Sequence, residues 1–263
     1  MKMQLELRDT GRSRRSLFAL TVVFLFVAVL AGSAGLCRAA LIIDDDFTGT
    51  ASGIPPGWTR ATIAFDDAYD DSGATTVALQ TIAATFARAM IFNDATFDPS
   101  HGLTWTVELT SLENNYLQTG VGEDLSVVGN FFGIRFHQSG LLEAFAQSGS
   151  VEFDSLGTLA GYVGGAVDLT LRVDPAGYRI STNTGFDSGA KLWSTFSNGY
   201  TLAAQNNPSL LWIQVDTSQV SNVGVFDRVR LETVPEPTSL WIPILGIATV
   251  ALRRSQRHRT HSS

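Results

Sequence analysis

Cysteine is nearly missing from this 263-residue chain: Cys37 is the only one. It lies in an apolar leader, so the rest of the chain has neither a disulfide nor a thiol nucleophile. Histidine is scarce as well. His101 sits in a Pro-Ser-His-Gly turn, His137 closes an extended run, and His258 and His261 belong to the tail. No spacing among them pairs two as metal ligands. There is no Gly-x-Ser-x-Gly elbow, which excludes the usual hydrolase nucleophile turn, and no glycine-rich phosphate loop. Helical periodicity is almost absent between the two ends, so the middle of the chain is not a helical bundle.

Positive charge is missing where a nucleic-acid binder would need it. The chain has 18 Lys and Arg against 25 Asp and Glu. Residues 1–39 hold six of the cations (Lys2, Arg8, Arg12, Arg14, Arg15 and Arg38), and the tail beyond Val234 holds Arg253, Arg254, Arg257 and Arg259. The middle is left with 8 cations and 22 carboxylates, a net charge of −14. Such a surface repels nucleic acid and anionic lipid.

The two ends are the most patterned parts. Arg12, Arg14 and Arg15 precede the uncharged run Leu17 to Leu30, and small residues follow in AGSAGLCRAA. That layout predicts a secretory signal peptide over residues 1–39, as an apolar helix recognised by the export machinery. Cleavage after Ala39 places Cys37 and Ala39 at the small-residue positions. At the other end, Pro235-Glu236-Pro237 precedes the apolar run 240–252 and the basic tail 253–263. The prolines set an extended spacer. Thirteen residues of helix would span about 20 Å against a hydrocarbon core of about 30 Å, a short transmembrane helix. Arg253, Arg254 and Arg257 would stop transfer on the cytoplasmic side. Segment 234–263 resembles the PEP-CTERM sorting signal. The resemblance implies recognition by an exosortase-type processing enzyme in the inner membrane, followed by delivery to the cell envelope or extracellular matrix.

Between these ends, residues 40–233 alternate as half-buried strands do. In Leu103 to Thr110, Leu103, Trp105, Val107 and Leu109 fall on one face; Val167, Leu169, Leu171 and Val173 do the same in Val167 to Val173. In Val225 to Leu231 the alternation sets Val225, Asp227, Val229 and Leu231 against Phe226, Arg228 and Arg230. Further runs are 41–47, 75–79, 87–92, 131–136, 178–182 and 210–215, and Asp174 to Gly177 is a hairpin turn. The prediction is an all-β, two-sheet antiparallel sandwich. The opening Asp45-Asp46-Phe47 and Pro55-Pro56-Gly57-Trp58, the hairpin LTLRVDPAGYRIST and the closing FDRVRLE resemble the concanavalin A-like, laminin-G-like jelly roll. The resemblance implies that the last strand lies beside the first. That fold hosts lectins, glucanases, adhesion modules and structural domains, so it does not set the function.

Chemistry-bearing clusters are few. Glu152 and Asp154 point to one face of a strand, as a glycosidase carboxylate pair would. Retaining jelly-roll glucanases resemble this with three acids on one face, but here the next position on that face is Leu156, so the general acid is missing. Asp44 to Asp46 and the acidic loop Asp66 to Gly73 could bind Ca²⁺, which takes six to eight oxygens. Asp46 and Asp227 would meet if the first and last strands pair, and could then hold a structural cation. Trp58, Tyr116, Trp193 and Tyr200 lie on turns or irregular stretches and could stack on sugar rings. The sequence therefore favours an exported, non-catalytic surface or matrix protein. A carbohydrate-binding module acting on extracellular polysaccharide, or a degenerate glycoside hydrolase, are the alternatives.

Overall fold

A computed structural model describes residues 39–48, 54–60, 67–70, 76–81, 88–122, 129–204, 209–216 and 222–234. Residues 1–38 of the expected signal peptide, Pro235, Glu236, Pro237, the run 240–252 and the arginines Arg253, Arg254 and Arg257 lie outside the described residues. Ala39–Val234 forms one compact unit.

The unit is an antiparallel β-sandwich of jelly-roll type. The first sheet is ordered β13 (Lys191–Leu192), β12 (Gly177–Thr182), β11 (Val167–Asp174), β6 (Leu103–Glu113), β15 (Asn222–Thr233), β4 (Val77–Thr81) and β3 (Asp67–Asp70). β1 (Leu41–Asp45) pairs with β15 beyond the end of β4, so the first and last strands are neighbours. The second sheet is ordered β10 (Ser150–Thr158), β9 (Leu141–Ser148), β8 (Phe131–His137), β7 (Tyr116–Gly122), β14 (Leu210–Asp216), β5 (Arg88–Asn93) and β2 (Trp58–Arg60).

Alternation explains most of the first sheet. In β6, Leu103, Trp105, Val107 and Leu109 are buried while Thr104, Thr106 and Glu108 look outward, and β11 repeats the pattern. Each large apolar side chain fully removed from water contributes roughly 1.5–3 kcal/mol. Phe132 from β8 packs against Trp105 across the sandwich at 6.4 Å between ring centroids. Tyr178, Trp193, Phe196 and Tyr200 surround the same ring at 4.9–6.2 Å. This aromatic cluster ties the two sheets together.

Strict alternation fails in β15. Phe226 is fully buried and Asp227 is exposed, the reverse of the expected facing. The cause is a pair of bulges. Val225 pairs with Ser111 and Phe226 with Leu109, which leaves Thr110 extra in β6. Arg228 then pairs with Glu108, which leaves Asp227 extra in β15. Each extra residue shifts the phase by one, and both are exposed. The segment expected as an acidic loop, Asp66 to Gly73, contains the strand β3, which pairs with β4 from Asp67 to Asp70.

The opening corner is fixed by one carboxylate. Strand β1 ends at Asp45, short of the expected Phe47, because Phe47 has φ 53°. Asp45 accepts hydrogen bonds from the Phe47 N–H at 2.8 Å and from the Trp58 indole N–H at 2.7 Å. The left-handed backbone at a non-glycine residue is held by this clamp and by burial of the Phe47 ring against Trp58.

Candidate functional site

The outward face of the second sheet differs from an ordinary solvated face. Its cross-strand register defines four rows. One row crosses all seven strands: Phe153, Phe145, Gly133, Gly120, Trp212, Phe92 and Thr59. The adjacent row is polar: Ser155, Glu143, Arg135, Gln118 and Gln214, ending at Met90. A third row carries His137, Tyr116, Asp216 and Arg88. On the other side of the aromatic row lie Val151, Gln147, Phe131 and Gly122.

The two central glycines shape this face. A Cβ on Gly120 would come within 2.7 Å of the Trp212 ring and 2.9 Å of the Gly133 Cα, and would also strike the Phe132 carbonyl. A Cβ on Gly133 would stand 3.0 Å from the Phe145 ring and 2.5 Å from the Thr119 carbonyl. Trp212 and Phe145 therefore lean inward from both sides over a floor without side chains. Their centroids are 6.0 Å apart, and Phe131 meets both edge-on at 6.3 and 5.6 Å. Met90, Phe145 and Trp212 form a second apolar cluster, separate from the core and flanked by half-buried Phe92 and Phe131. At the β10 end the row opens to solvent: Phe153 is 48% and Val151 44% exposed.

Beside the rings, Gln118, Gln147 and Gln214 are buried amides. Among the described residues the Gln214 Nε2 has no hydrogen-bond partner. A buried donor without an acceptor costs about 1–3 kcal/mol and is uncommon unless a ligand or water supplies one. Arg135 lies between two rings, 4.8 Å from the Tyr116 centroid and 4.5 Å from that of Phe153, with Glu143 at 3.7 Å. The His137 ring, 4.7 Å from Tyr116, is held below the usual histidine range by burial, against an upward pull from Glu143. Stacked rings beside amides and one arginine suit a flat polyhydroxylated ligand: apolar ring faces meet sugar C–H groups, and amides meet hydroxyls.

Carboxylate pairing for hydrolysis does not form on this face among the described residues. Asp94, at its far end, accepts from the Thr59 hydroxyl at 2.7 Å, and the acids nearer its centre, Glu143 and Asp216, each lie near an arginine, Arg135 at 3.7 Å and Arg88 at 3.8 Å. Glu143 and Asp216 stand three strand spacings apart, about 14 Å, beyond the roughly 5–10 Å that glycoside hydrolysis uses. Glu152 and Asp154 share a face, as the sequence indicates, but the register sets them opposite Ala146 and Ala144, on the side turned to the core. Glu152 accepts from the Ser197 N–H at 2.5 Å and its hydroxyl at 2.6 Å, which holds its carboxyl below the usual range. Asp154 accepts from the Tyr178 hydroxyl at 2.7 Å. Burial first, and then this bond, push the Tyr178 phenol well above its ordinary range. The pair is a brace for the sheet edge.

Of the proposed stacking residues, Trp58, Trp193 and Tyr200 are 4%, 4% and 1% exposed and sit in the core. The short 3-10 turn Trp193–Thr195 carries Trp193 inward, where its indole N–H donates to the Asp174 carbonyl at 2.9 Å. They present no face to a sugar: Trp58 opens β2 on its inward side, opposite buried Asn93, and the turns that carry Trp193 and Tyr200 fold their rings back under the sheets. Tyr116 alone lies on the ligand-suited face, under Arg135. Asp46 is exposed and accepts from the Thr48 N–H at 3.1 Å, and Asp227 is the exposed bulge residue. Among the described residues no group of three His, Cys, Asp or Glu is placed to hold a metal ion.

Sequence reasoning missed Phe92, Phe131, Phe145, Phe153 and Trp212 as a set. The signal was present: FFGIRF and LLEAFAQ do not alternate, and strands apolar on both faces have a second surface to cover.

No family model matches the chain, and no curated protein matches its sequence. Solved structures match its fold. One belongs to work on endo-acting O-glycanases that human gut bacteria express to initiate mucin breakdown. It matches with TM-score 0.55 and 9% identity over 74% of this chain and 99% of its own. A non-specific endo-β-1,3(4)-glucanase of family GH16 matches with TM-score 0.53 and 11% identity, over 74% of this chain and 91% of its own. A glycoside hydrolase family protein from Mycobacterium thermorestibile matches with TM-score 0.52 and 9% identity, over 73% and 100%. The compact unit thus shares the sandwich fold of proteins that act on glycans.

Proposed function

We propose that this protein is a non-catalytic, glycan-binding domain built on a glycosidase-type jelly roll, and that it works outside the cytoplasm on extracellular polysaccharide. The supporting observation is the aromatic row that runs from solvent-exposed Phe153 to Trp212 beside a row of buried amides, with the Gln214 Nε2 unpartnered. The absence of a close carboxylate pair on that face, among the described residues, supports binding without cleavage. The fold of glucan- and mucin-acting neighbours supports a glycan as the ligand class.

The test is affinity electrophoresis of the full chain in gels containing β-1,3-glucan, mixed-linkage β-glucan or mucin, with reducing-end assays on the same polymers. Retardation by at least one polymer with no release of reducing ends is expected. Phe153→Ala should weaken that retardation at least about tenfold. Retardation by none, or equal retardation of the variant, ends this reading, and release of reducing ends turns it to an enzyme.

Delivery to the envelope through the C-terminal segment belongs to the same proposal and rests on Pro235, Glu236, Pro237 and the basic tail. In a host carrying an exosortase, mass spectrometry should find the tail removed from the natural chain. Alanines at the three motif positions should leave it in place. Retention of the tail in both would reduce the segment to a short anchor.

A further inference from the structure

On the opposite sheet, away from the aromatic face, the edge formed by β11, β12 and β13 carries an arrangement that the glycan reading does not use. Arg172 and Arg179 are directly opposed across β11 and β12. Like charges in that position destabilise a sheet unless something compensates. Arg179 is compensated: its Nε donates to the Asp187 carboxylate at 2.8 Å and its Nη2 bonds the other oxygen. Arg172 is exposed and has no hydrogen-bond or ion-pair partner among the described residues.

The two arginines border a cleft of about 210 Å³ that also takes in Asp174, Gly177, Lys191 and Leu192. Lys191 stands 3.7 Å from Asp154, whose same oxygen already accepts the Tyr178 hydroxyl. The one acid in the cleft wall, Asp174, has an oxygen occupied by the N–H groups of Ala176 and Gly177 at 2.9 and 3.1 Å, so the turn itself consumes it. Gly177 keeps the floor open, because a side chain there would collide with the Lys191 carbonyl. Leu192, 62% exposed, supplies an apolar wall. Two guanidinium groups face this cleft on a domain whose net charge is −14, while Lys191, opposite Tyr178, turns its ammonium to the core-facing side and lines the cleft by its backbone.

We propose that this cleft binds the carboxylate of an acidic sugar, with Arg172 as the principal ligand. A guanidinium offers a planar fork of donors that matches a carboxylate in bidentate geometry. The free fork of Arg172 and the remaining Nη1 of Arg179 are the donors, and Leu192 meets the sugar ring. The cleft is smaller than the roughly 300 Å³ at which drug-sized sites begin, which suits one monosaccharide unit. The site is independent of the aromatic face: one would take uncharged ring surfaces, the other a charged group.

The experiment is calorimetric titration of the full chain with oligogalacturonate. The neutral galactose oligomer of equal length and a sulfated dextran are titrated in parallel. Saturable binding of oligogalacturonate is expected, with little or none of the neutral oligomer. Arg172→Gln should weaken it at least about tenfold. Arg230→Gln, which removes an exposed arginine elsewhere on the same sheet, should leave it unchanged, as should Phe153→Ala. Circular dichroism of each variant checks that the sandwich is intact. Four outcomes overturn the proposal. They are no binding of oligogalacturonate, unchanged binding in Arg172→Gln, equal weakening in Arg172→Gln and Arg230→Gln together with tighter binding of sulfated dextran, or loss of binding in Phe153→Ala. The third would mean a diffuse polyanion effect, and the fourth would place the ligand on the other sheet.

Discussion

The two sheets share one core but present unlike exteriors. The first sheet's outer face is built of Thr104, Thr106 and Glu108 beside Asp168 and Thr170, with Arg228 bonded to Asp44 at 2.7 Å and Arg230 bonded to Glu232. Away from the β11–β12 edge, where Arg172 is unpartnered, its side chains are short hydroxyls and paired ions, such as the 3.0 Å contact between the Thr106 and Thr170 hydroxyls. The second sheet's outer face is built of rings, amides and glycines, with a buried donor left open. A face that only meets water needs none of the latter. On the proposed reading this difference assigns uncharged glycan surfaces to the second sheet, and it can be broken by experiment.

The largest expected effect is on the aromatic side. Trp212→Ala should destabilise the fold by about 3–5 kcal/mol, because it opens a cavity under Phe131 and Phe145. Thr106→Ala on the first sheet should cost no more than about 1 kcal/mol, the worth of one half-exposed hydrogen bond. Urea unfolding of both variants gives the comparison, and equal losses would show the two faces to be alike.

Next in size is the glycine floor. Gly120→Val should cost about 1–3 kcal/mol by overpacking and should also displace Trp212, seen as altered tryptophan fluorescence. An unchanged spectrum and stability would mean that the rings do not lie over the glycines.

The smallest effects are in pH dependence, and they separate the faces by pH window. His137 on the second sheet is held by burial below the ordinary value of 6.5. The folded state therefore prefers the neutral ring, and stability falls as pH drops below that value. Asp187 beside the first sheet is lowered to about 2 by its hydrogen bond from Arg179. Its contribution is present above the ordinary value of 3.8 and is lost as pH falls through about 2. Thermal unfolding from pH 7 to 2 should lose the upper step in His137→Gln and the lower step in Asp187→Asn. Identical profiles for both variants and the parent chain would contradict these assignments.

How far the sequence could be read follows the same division. Where a strand has water on one side, as in β6 and β11, period-two alternation gave the inward set residue by residue. In β15 it failed at Phe226 because an inserted residue changes phase and leaves no mark in composition. β8 was placed as the run 131–136, but its facing was not read, and β7 and β9 were missed, because both sides of these strands are covered, which erases the alternation. Glu152 and Asp154 were correctly set on one face, but sequence alone does not say whether that face looks to the core or away. Trp193 and Tyr200 sit among turn residues, so their burial depends on where the turn folds, which is a tertiary fact.

Strand β15 has a temporal consequence. It occupies the middle of its sheet, flanked by β6 on one side and by both β1 and β4 on the other, yet it is the last of the described strands to be synthesised. Until residue 233 leaves the ribosome, β1 has no strand to pair with, β4 has only β3, and β6 lacks one neighbour. Such distant pairings form slowly. The nascent chain must therefore stay open for nearly its whole length, and any factor that keeps chains unfolded has until the end of translation to engage it.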